Sequence, residues 1–293
     1  MWHTVISHDE RMAMSEHASS TPTPEALERC AALETWLKER GKVAVAYSGG
    51  VDSTFLVTIA HQVLGNDMIA VTSAGRSAPA RDIERTRAFC AERGIRQVVV
   101  EYDELAIPGF AQNEPDRCYH CKKALFAQMA EAASKQGITC LVDGSNKDDE
   151  GDYRPGMRAL AEMGIGSPLR EVGLTKAQIR ELSRALGLPT WDMPSAACLA
   201  SRFAYGDVID AIKLKRVEQA EDYLHDLGLR QLRVRVHGTD GELARIEVPA
   251  DRITSLAEEP LRTSVASHLR ELGFTYVSLD LVGFRSGAMN ERL

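Results

Sequence analysis

The stretch Val43-Ala44-Val45-Ala46-Tyr47-Ser48-Gly49-Gly50-Val51-Asp52-Ser53-Thr54 constrains the fold of this chain more than any other. Its small and branched apolar residues read as a buried strand, and the run breaks at Ser-Gly-Gly into an apolar helical pattern. Glycine supplies the dihedrals of such a turn and lets backbone approach a ligand closely. The helix starting near Val51 aims its unpaired N–H groups and the positive end of its dipole at the turn, so a phosphate is the natural occupant. Ser48, Ser53 and Thr54 add hydroxyl donors, and Asp52 offers a carboxylate able to hold a magnesium ion that bridges phosphates. Gly49-Gly50 alone would be explained by an ordinary strand–turn–helix. A Walker-type loop is excluded, because no Gly-Lys-Ser/Thr follows the turn.

The pattern repeats downstream. Residues 24–40 read as a helix capped by Thr23, followed by a strand over 42–47, a helix to 64, and a strand over 68–72. A helix over 80–93, a strand over 97–101, a helix over 118–136 and a strand over 139–143 continue the alternation, which implies a doubly wound, mostly parallel α/β sheet. Ligands in such sheets sit at the carboxyl ends of the strands. Three of those ends carry small or polar residues, Ser48-Gly49, Thr72-Ser73-Ala74 and Asp143-Gly144-Ser145-Asn146, so Ser73 and Gly144 join the candidate nucleotide pocket. Turn chemistry alone also favours these residue types. The polar run 146–156 reads as a surface loop. A helix over 175–186 precedes the aperiodic segment Pro194-Ser195-Ala196-Ala197-Cys198-Leu199-Ala200-Ser201-Arg202, which suits an active-site loop. A long helix over 207–227 leads into strands over 231–236, 243–248 and 275–279 and a helix over 260–272, a smaller α+β region. The expected domains are a mobile arm over 1–22, a nucleotide domain over 23–205 and a small domain over 206–293.

With 293 residues, 44% hydrophobic and 26% charged, the chain can bury a sizeable core. No apolar run approaches the ~20 residues of a membrane span, and the start of the chain lacks the uninterrupted apolar core of a secretory signal. A cytoplasmic setting is the expectation. The balance of 35 basic against 42 acidic residues, net −7, offers no general excess for a long nucleic acid, whereas a small anion needs only a local cluster.

Six cysteines in such a chain do not form a secreted disulfide framework. Cys30, Cys90 and Cys140 fall within helical or strand patterns and read as small buried hydrophobes. Cys118-Tyr119-His120-Cys121 is a CxxC at a helix start, where a thiol becomes a better ligand or nucleophile. A second CxxC, needed for a structural zinc, is absent. Cys198 stands alone in its loop. Arg202 can pair with a phosphate or carboxylate, or form a surface ion pair. Arg233 and Arg235 alternate on one strand face with His237, a spacing that grips a phosphate or makes an exposed basic face. Glu221 is a weaker candidate, since a solvated helix face explains most glutamates.

The Ser-Gly-Gly-Val-Asp-Ser-Thr string resembles the pyrophosphate loop of the PP-loop ATPases (adenine nucleotide alpha hydrolase-like fold). Together with Arg117-Cys118-Tyr119-His120-Cys121-Lys122-Lys123, Asp143-Gly144-Ser145-Asn146, Arg154-Pro155-Gly156 and the Pro194–Arg202 segment, it resembles the LarE-type sulfur transferases that build the nickel-pincer nucleotide cofactor of lactate racemase. The likeness runs from about residue 25 to 283. It implies that a carboxylate of a pyridinium dicarboxylate mononucleotide attacks MgATP to give an acyl adenylate and pyrophosphate, and that sulfur then displaces AMP to leave a thiocarboxylate. Ser48 to Thr54, Ser73 and Gly144 would hold ATP, with Asp52 on Mg2+. Cys198 would act with Ser201 and Arg202, and Arg233, Arg235 and Glu221 would meet the substrate phosphate. Two sulfur sources follow from the family: Cys198 itself, left as dehydroalanine, or a [4Fe-4S] cluster on Cys118, Cys121 and Cys198 carrying an extra sulfide, which the three cysteines favour. The family also implies a homo-oligomer, a hexamer through the small domain. The alternative within the superfamily is a tRNA-thiolating enzyme, against which stand the net charge and the lack of an added RNA-binding module. An ammonia-using synthetase would give Cys198 no role, and a non-catalytic nucleotide-binding protein would release no pyrophosphate.

Overall fold

The computed structural model describes residues 21–149, 155–195 and 197–285. The expected arm over 1–22 and Arg154 fall largely or wholly outside them. The contacts divide the chain into two compact units. The first takes the chain to Ala74, then Ala80–Glu101 and Lys123–Ser195; the second takes Gly75–Pro79, Tyr102–Lys122 and everything from Ala196. Two short internal segments thus join the C-terminal part.

The first unit is built on β1 (Val43–Ala46), β2 (Met68–Gly75), β3 (Gln97–Tyr102) and β4 (Leu141–Val142) in the order β3-β2-β1-β4. β1 runs parallel to both β2 and β4. Because β2 lies on one side of β1 and β4 on the other, the strand order reverses at β1, and the crevice for a ligand opens at its carboxyl end. The helices are α1 (Pro24–Arg40), α2 (Val51–Leu64), α3 (Ala80–Glu92), α4 (Arg117–Ser134), whose residues up to Lys122 belong to the second unit, α5 (Pro155–Glu162), α6 (Pro168–Glu171) and α7 (Lys176–Ala185). Thr23 caps α1 through its side chain and Pro24 occupies the first turn, as the sequence predicts. One apolar cluster lies under α1, α2 and α7, with Leu33, Leu37, Phe55, Leu56, Ile179 and Leu182 fully or almost fully buried. A second, around Ile69, Phe126, Met129 and Ile138, covers the other face of the sheet. Burying both faces is what allows β1 and β2 to be almost continuously apolar.

The second unit holds α8 (Ala211–Asp226), β5 (Arg233–His237), β6 (Leu243–Glu247), α9 (Ile253–Ala257), α10 (Leu261–Glu271) and β7 (Tyr276–Leu279). β6 is central, antiparallel to β5 and parallel to β7. Leu214, Val217, Leu224, Val234, Val236, Ile246 and Leu269 close its core, which also takes in Phe110, Leu199 and Phe203. The loop around Cys198 is therefore rooted in this core by its apolar neighbours. α5 and α6 were not foreseen: Pro155–Glu162 starts inside a stretch whose Asp, Gly and Pro residues read as loop.

Candidate active site

In the first unit, β1 ends in the Ser48–Gly50 turn and α2 starts at once. Gly49 has φ +75°, and a Cβ there would stand 2.9 Å from Thr86 Cγ2, so the position admits glycine alone without strain. Gly50 is the extended N-cap of α2 and offers no side chain, leaving the first N–H groups of the helix to a ligand. Ser48 Oγ lies 3.1 Å from Ser53 Oγ, which also donates to the Gly50 carbonyl at 3.3 Å. Val51 and Thr54 are buried; Thr54 sits beside the Tyr47 hydroxyl, so it packs under the turn. Gly144 closes on the same helix start: a Cβ there would meet the Ser53 backbone nitrogen at 3.2 Å. Its neighbour Asp143 is buried and accepts from Ser145 Oγ and from Ser167 Oγ at 2.6 Å, which fixes the end of β4. Ser73 is half-buried near the end of β2.

Asp52, half-buried in the first turn of α2, receives the Lys176 ammonium on Oδ2 at 2.5 Å. Among the described residues its buried Oδ1 has no partner at normal hydrogen-bond distance. Burial pushes the Asp52 carboxyl above its usual range, against the pull of Lys176. Lys176 is absent from the sequence reading, yet it is placed by strong local rules. Thr175 and Gln178 form a capping box at the start of α7, and the Lys176 N–H donates to Asp148 Oδ2 at 2.8 Å. An orphaned carboxylate oxygen beside an ammonium is a fit for a magnesium ion carried in with a nucleotide.

In the second unit, Cys198 is exposed and precedes a short helical turn, Leu199–Arg202. Both sides of the cysteine are tied down. The Leu199 N–H donates to the Ser77 carbonyl at 2.8 Å, and Ser77 is held by the buried Glu104, which accepts from the Ser77 and Arg76 N–H groups and from Ser77 Oγ at 2.6 Å. Arg202 Nη1 donates to the Ala197 and Cys198 carbonyls at 2.7 and 3.0 Å and to Ser201 Oγ at 2.9 Å. Arg202 also makes a buried, two-pronged pair with Glu221 at 2.9 and 2.7 Å. Glu221 is thus neither on a solvated helix face nor isolated, and Arg202 is a buried brace of the Cys198 loop rather than a surface ion pair.

Arg235 is buried too. It donates twice to Glu247, at 3.0 and 2.9 Å, and once to the Ser201 carbonyl at 2.8 Å. Arg233 lies two residues before it and faces Phe284. Burial pushes the Arg233 guanidinium down to about 10, and the charges of Arg202 and Arg235 push the same way. Arg202 and Arg235 are each taken up by a carboxylate, Glu221 and Glu247. The exposed basic strand face that the alternation of Arg233 and Arg235 also allowed is not what forms.

The CxxC pair starts α4. Cys121 is packed against the second unit's core, and burial pushes its thiol up to about 12, with Cys198 and Cys118 adding to the shift. Cys118 and Cys198 therefore both lie within electrostatic reach of the Cys121 thiol. Among the described residues, however, no group of three or more His, Cys, Asp or Glu side chains is placed to hold a metal ion, so the arrangement does not fit a cluster as it stands. No helix among the described residues is long and apolar enough to cross a membrane. Cys90 is buried as read, while Cys30 and Cys140 are half-buried; burial raises all three thiols.

The profile of a family described as NAD synthase matches residues 26–134, which include the glycine turn and the CxxC. An uncharacterized protein of Synechocystis sp. is 40% identical over 261 residues, 89% of this chain and 96% of that protein. The pyridinium-3,5-bisthiocarboxylic acid mononucleotide synthase of Lactiplantibacillus plantarum is 36% identical over 264 residues, 90% of this chain and 94% of the synthase. A subunit of the glutamine-hydrolyzing GMP synthase of Methanoregula boonei is 28% identical over 170 residues, 54% of this chain and 55% of that protein.

Proposed function

We propose a reaction from one premise: the chain belongs to the LarE-type ATP-dependent sulfur transferases of the PP-loop superfamily. Its substrate is a pyridinium dicarboxylate mononucleotide. A carboxylate oxygen of that substrate attacks the α-phosphorus of ATP, the bond to the β-phosphate breaks, and pyrophosphate leaves. Ser48, Gly49, Gly50 and Ser53 cradle the departing pyrophosphate with backbone and hydroxyl donors. Asp52 would hold the Mg2+ that accompanies ATP and offsets the phosphate charge, and Ser73 and Gly144 border the nucleotide. Lys176, already at Asp52, is placed to follow the phosphate charge as it develops. Domain roles follow: residues 23–205 as the ATP pyrophosphatase domain and 206–293 as a substrate and assembly domain, with a homo-oligomer as the working form and the cytoplasm as its setting.

Sulfur transfer uses groups of the second unit. The Cys198 sulfur attacks the acyl carbon, AMP leaves with the bonding pair, and a thioester forms. Removal of the Cys198 Hα then drives its electron pair into a Cα=Cβ bond; the Cβ–S bond breaks, the thiocarboxylate leaves and dehydroalanine remains. Arg233 and Arg235 bind the substrate phosphate, and Ser201, Arg202 and Glu221 keep the cysteine loop in shape for it. The observation that carries this reading is an exposed thiol on a loop whose backbone is otherwise fixed. A second reading takes sulfide from a [4Fe-4S] cluster on Cys118, Cys121 and Cys198, of which Cys118 and Cys198 both press on the Cys121 thiol.

One experiment separates the two. The protein is purified without oxygen, analysed for iron and acid-labile sulfide, and weighed intact before and after turnover with MgATP and the mononucleotide. An iron-free protein that loses the mass of hydrogen sulfide at Cys198 supports sacrifice. An iron-containing protein of unchanged mass that still makes thiocarboxylate overturns it. Absence of both pyrophosphate and thiocarboxylate overturns the reaction itself.

A further inference from the structure

Arg117 is 3% exposed, as buried as Arg202 and close to Arg235 at 5%. Those two arginines each hold a carboxylate, Glu221 and Glu247. Among the described residues Arg117 holds none. Its Nη1 donates to the Asn113 side-chain oxygen and, at 2.9 Å, to the Ala200 carbonyl; its Nη2 lies 3.8 Å from Cys118 Sγ. Asn113 is itself locked, with φ +56° and an Nδ2 donation to the Ala204 carbonyl at 2.6 Å. A guanidinium buried without an anion is costly, and such charges are retained where an anion comes to meet them. Of the atoms its nitrogens are shown to contact, the one that can be anionic is the Cys118 sulfur.

We infer that Arg117 is a positioning residue for sulfur transfer, a buried guanidinium that ties the start of the Cys118/Cys121 helix to the Cys198 loop through Ala200 and turns its unspent charge toward the thiols. This rests on the reading of Cys198 as the thiol that meets the acyl group. Arg202 grips the same loop from the Ala197 and Cys198 carbonyls, but Glu221 already neutralises it. Arg117 is the brace whose charge is left for chemistry: the attacking sulfur and the departing thiocarboxylate both carry their negative charge beside it.

The first readout needs no substrate. Full-length protein is alkylated with iodoacetate or with iodoacetamide, and the rate at Cys198 is read from its peptide by mass spectrometry. Both reagents require the same thiolate, so the ratio of the two rates cancels its protonation and reports the local field. A chain of net charge −7 should repel iodoacetate unless a cation stands at the thiol. The expected ratio is about threefold or more above that of the denatured chain, the size given by one charge at ~6 Å in water. R117M should bring the ratio down to the denatured value, while R117K keeps most of it. In the same R117M variant thiocarboxylate formed in a single turnover should fall by at least tenfold, with pyrophosphate release within about twofold of wild type. A folded R117M with an unchanged ratio overturns the inference whatever its activity. Should R117M not fold, the wild-type ratio is followed from low to high salt; a ratio that fails to fall overturns the inference equally. A wild type whose ratio behaves as expected but which forms no thiocarboxylate faults the reaction and supports the aim of the charge.

Discussion

The two ion pairs Asp52–Lys176 and Arg202–Glu221 show how differently the two units hold their functional groups. Around Asp52 the charges are half-open, with 27% and 21% of the Lys176 and Asp52 side chains exposed, and one carboxylate oxygen is left over. Around Arg202 they are closed at 4% and 6%, and the guanidinium is used at every nitrogen named above. A half-open pair can exchange partners when a charged ligand arrives; a closed one fixes shape, and removing half of it strands a buried charge. The first unit therefore keeps its charges available and builds rigidity from glycine turns and caps. In the second, the Arg202–Glu221 and Arg235–Glu247 pairs serve rigidity and the Cys198 thiol is exposed.

Changes at the two sites should separate cleanly. Cys198→Ala should abolish thiocarboxylate formation altogether while pyrophosphate release with the mononucleotide persists within about twofold; product formation by this variant would end the assignment of Cys198. Asp52→Ala should lower pyrophosphate release by about 10²–10⁴-fold, in the range of losses from removing one electrostatic contact to a metal-bound phosphate, with the rate of Cys198 alkylation unchanged. A parallel loss of thiol reactivity would show that the two regions are not independent. Glu221→Ala should cost about 3–5 kcal/mol of stability, read from denaturant unfolding, because Arg202 is then buried alone. Arg202→Met combined with Glu221→Leu should recover a good part of that. Gly49→Ala should cost about 1–3 kcal/mol through its positive φ and the contact with Thr86, and should raise the KM for ATP.

The smallest effect concerns Arg233. Its guanidinium, pushed down to about 10, is held charged at neutral pH against its burial. A base lowered in this way is unfavourable to the fold below pH 10, and that penalty disappears between 10 and the ordinary arginine value. A phosphate monoester should relieve it, raising Tm by mass action at about pH 7–8. The shift should shrink as pH rises through about 10 and vanish in Arg233→Met; an equal shift in that variant would place the phosphate elsewhere.

The sequence carries the first unit almost whole, since its strands, caps and glycine turn are local signals, and the expected strands there overlap those that form. Lys176 escaped because its meaning depends on a partner 124 positions away, although the Thr175/Gln178 capping box that places it is written locally. The second unit was legible in its elements but not in its charges. Nothing in the spacing of Arg202, Glu221, Arg235 and Glu247 says which arginine takes which carboxylate, because the pairs join residues 19 and 12 apart through tertiary packing. The alternation on β5 did say that Arg233 and Arg235 share a face. It could not say that β6 brings a carboxylate to it.

That carboxylate, Glu247, is 0% exposed. It lies opposite Arg233 in the register, while Arg235 lies opposite Arg245, and it takes up Arg235 directly with Arg245 Nη1 3.2 Å from its other oxygen. A slip of β6 by one residue would turn Glu247 to the far face and break both of its arginine contacts across the ladder. Glu247 is in this sense a key cut for one alignment: it denies the hairpin any neighbouring registry. Substitutions among these residues should then be tolerated only in matched sets, as if the group were inherited as one letter.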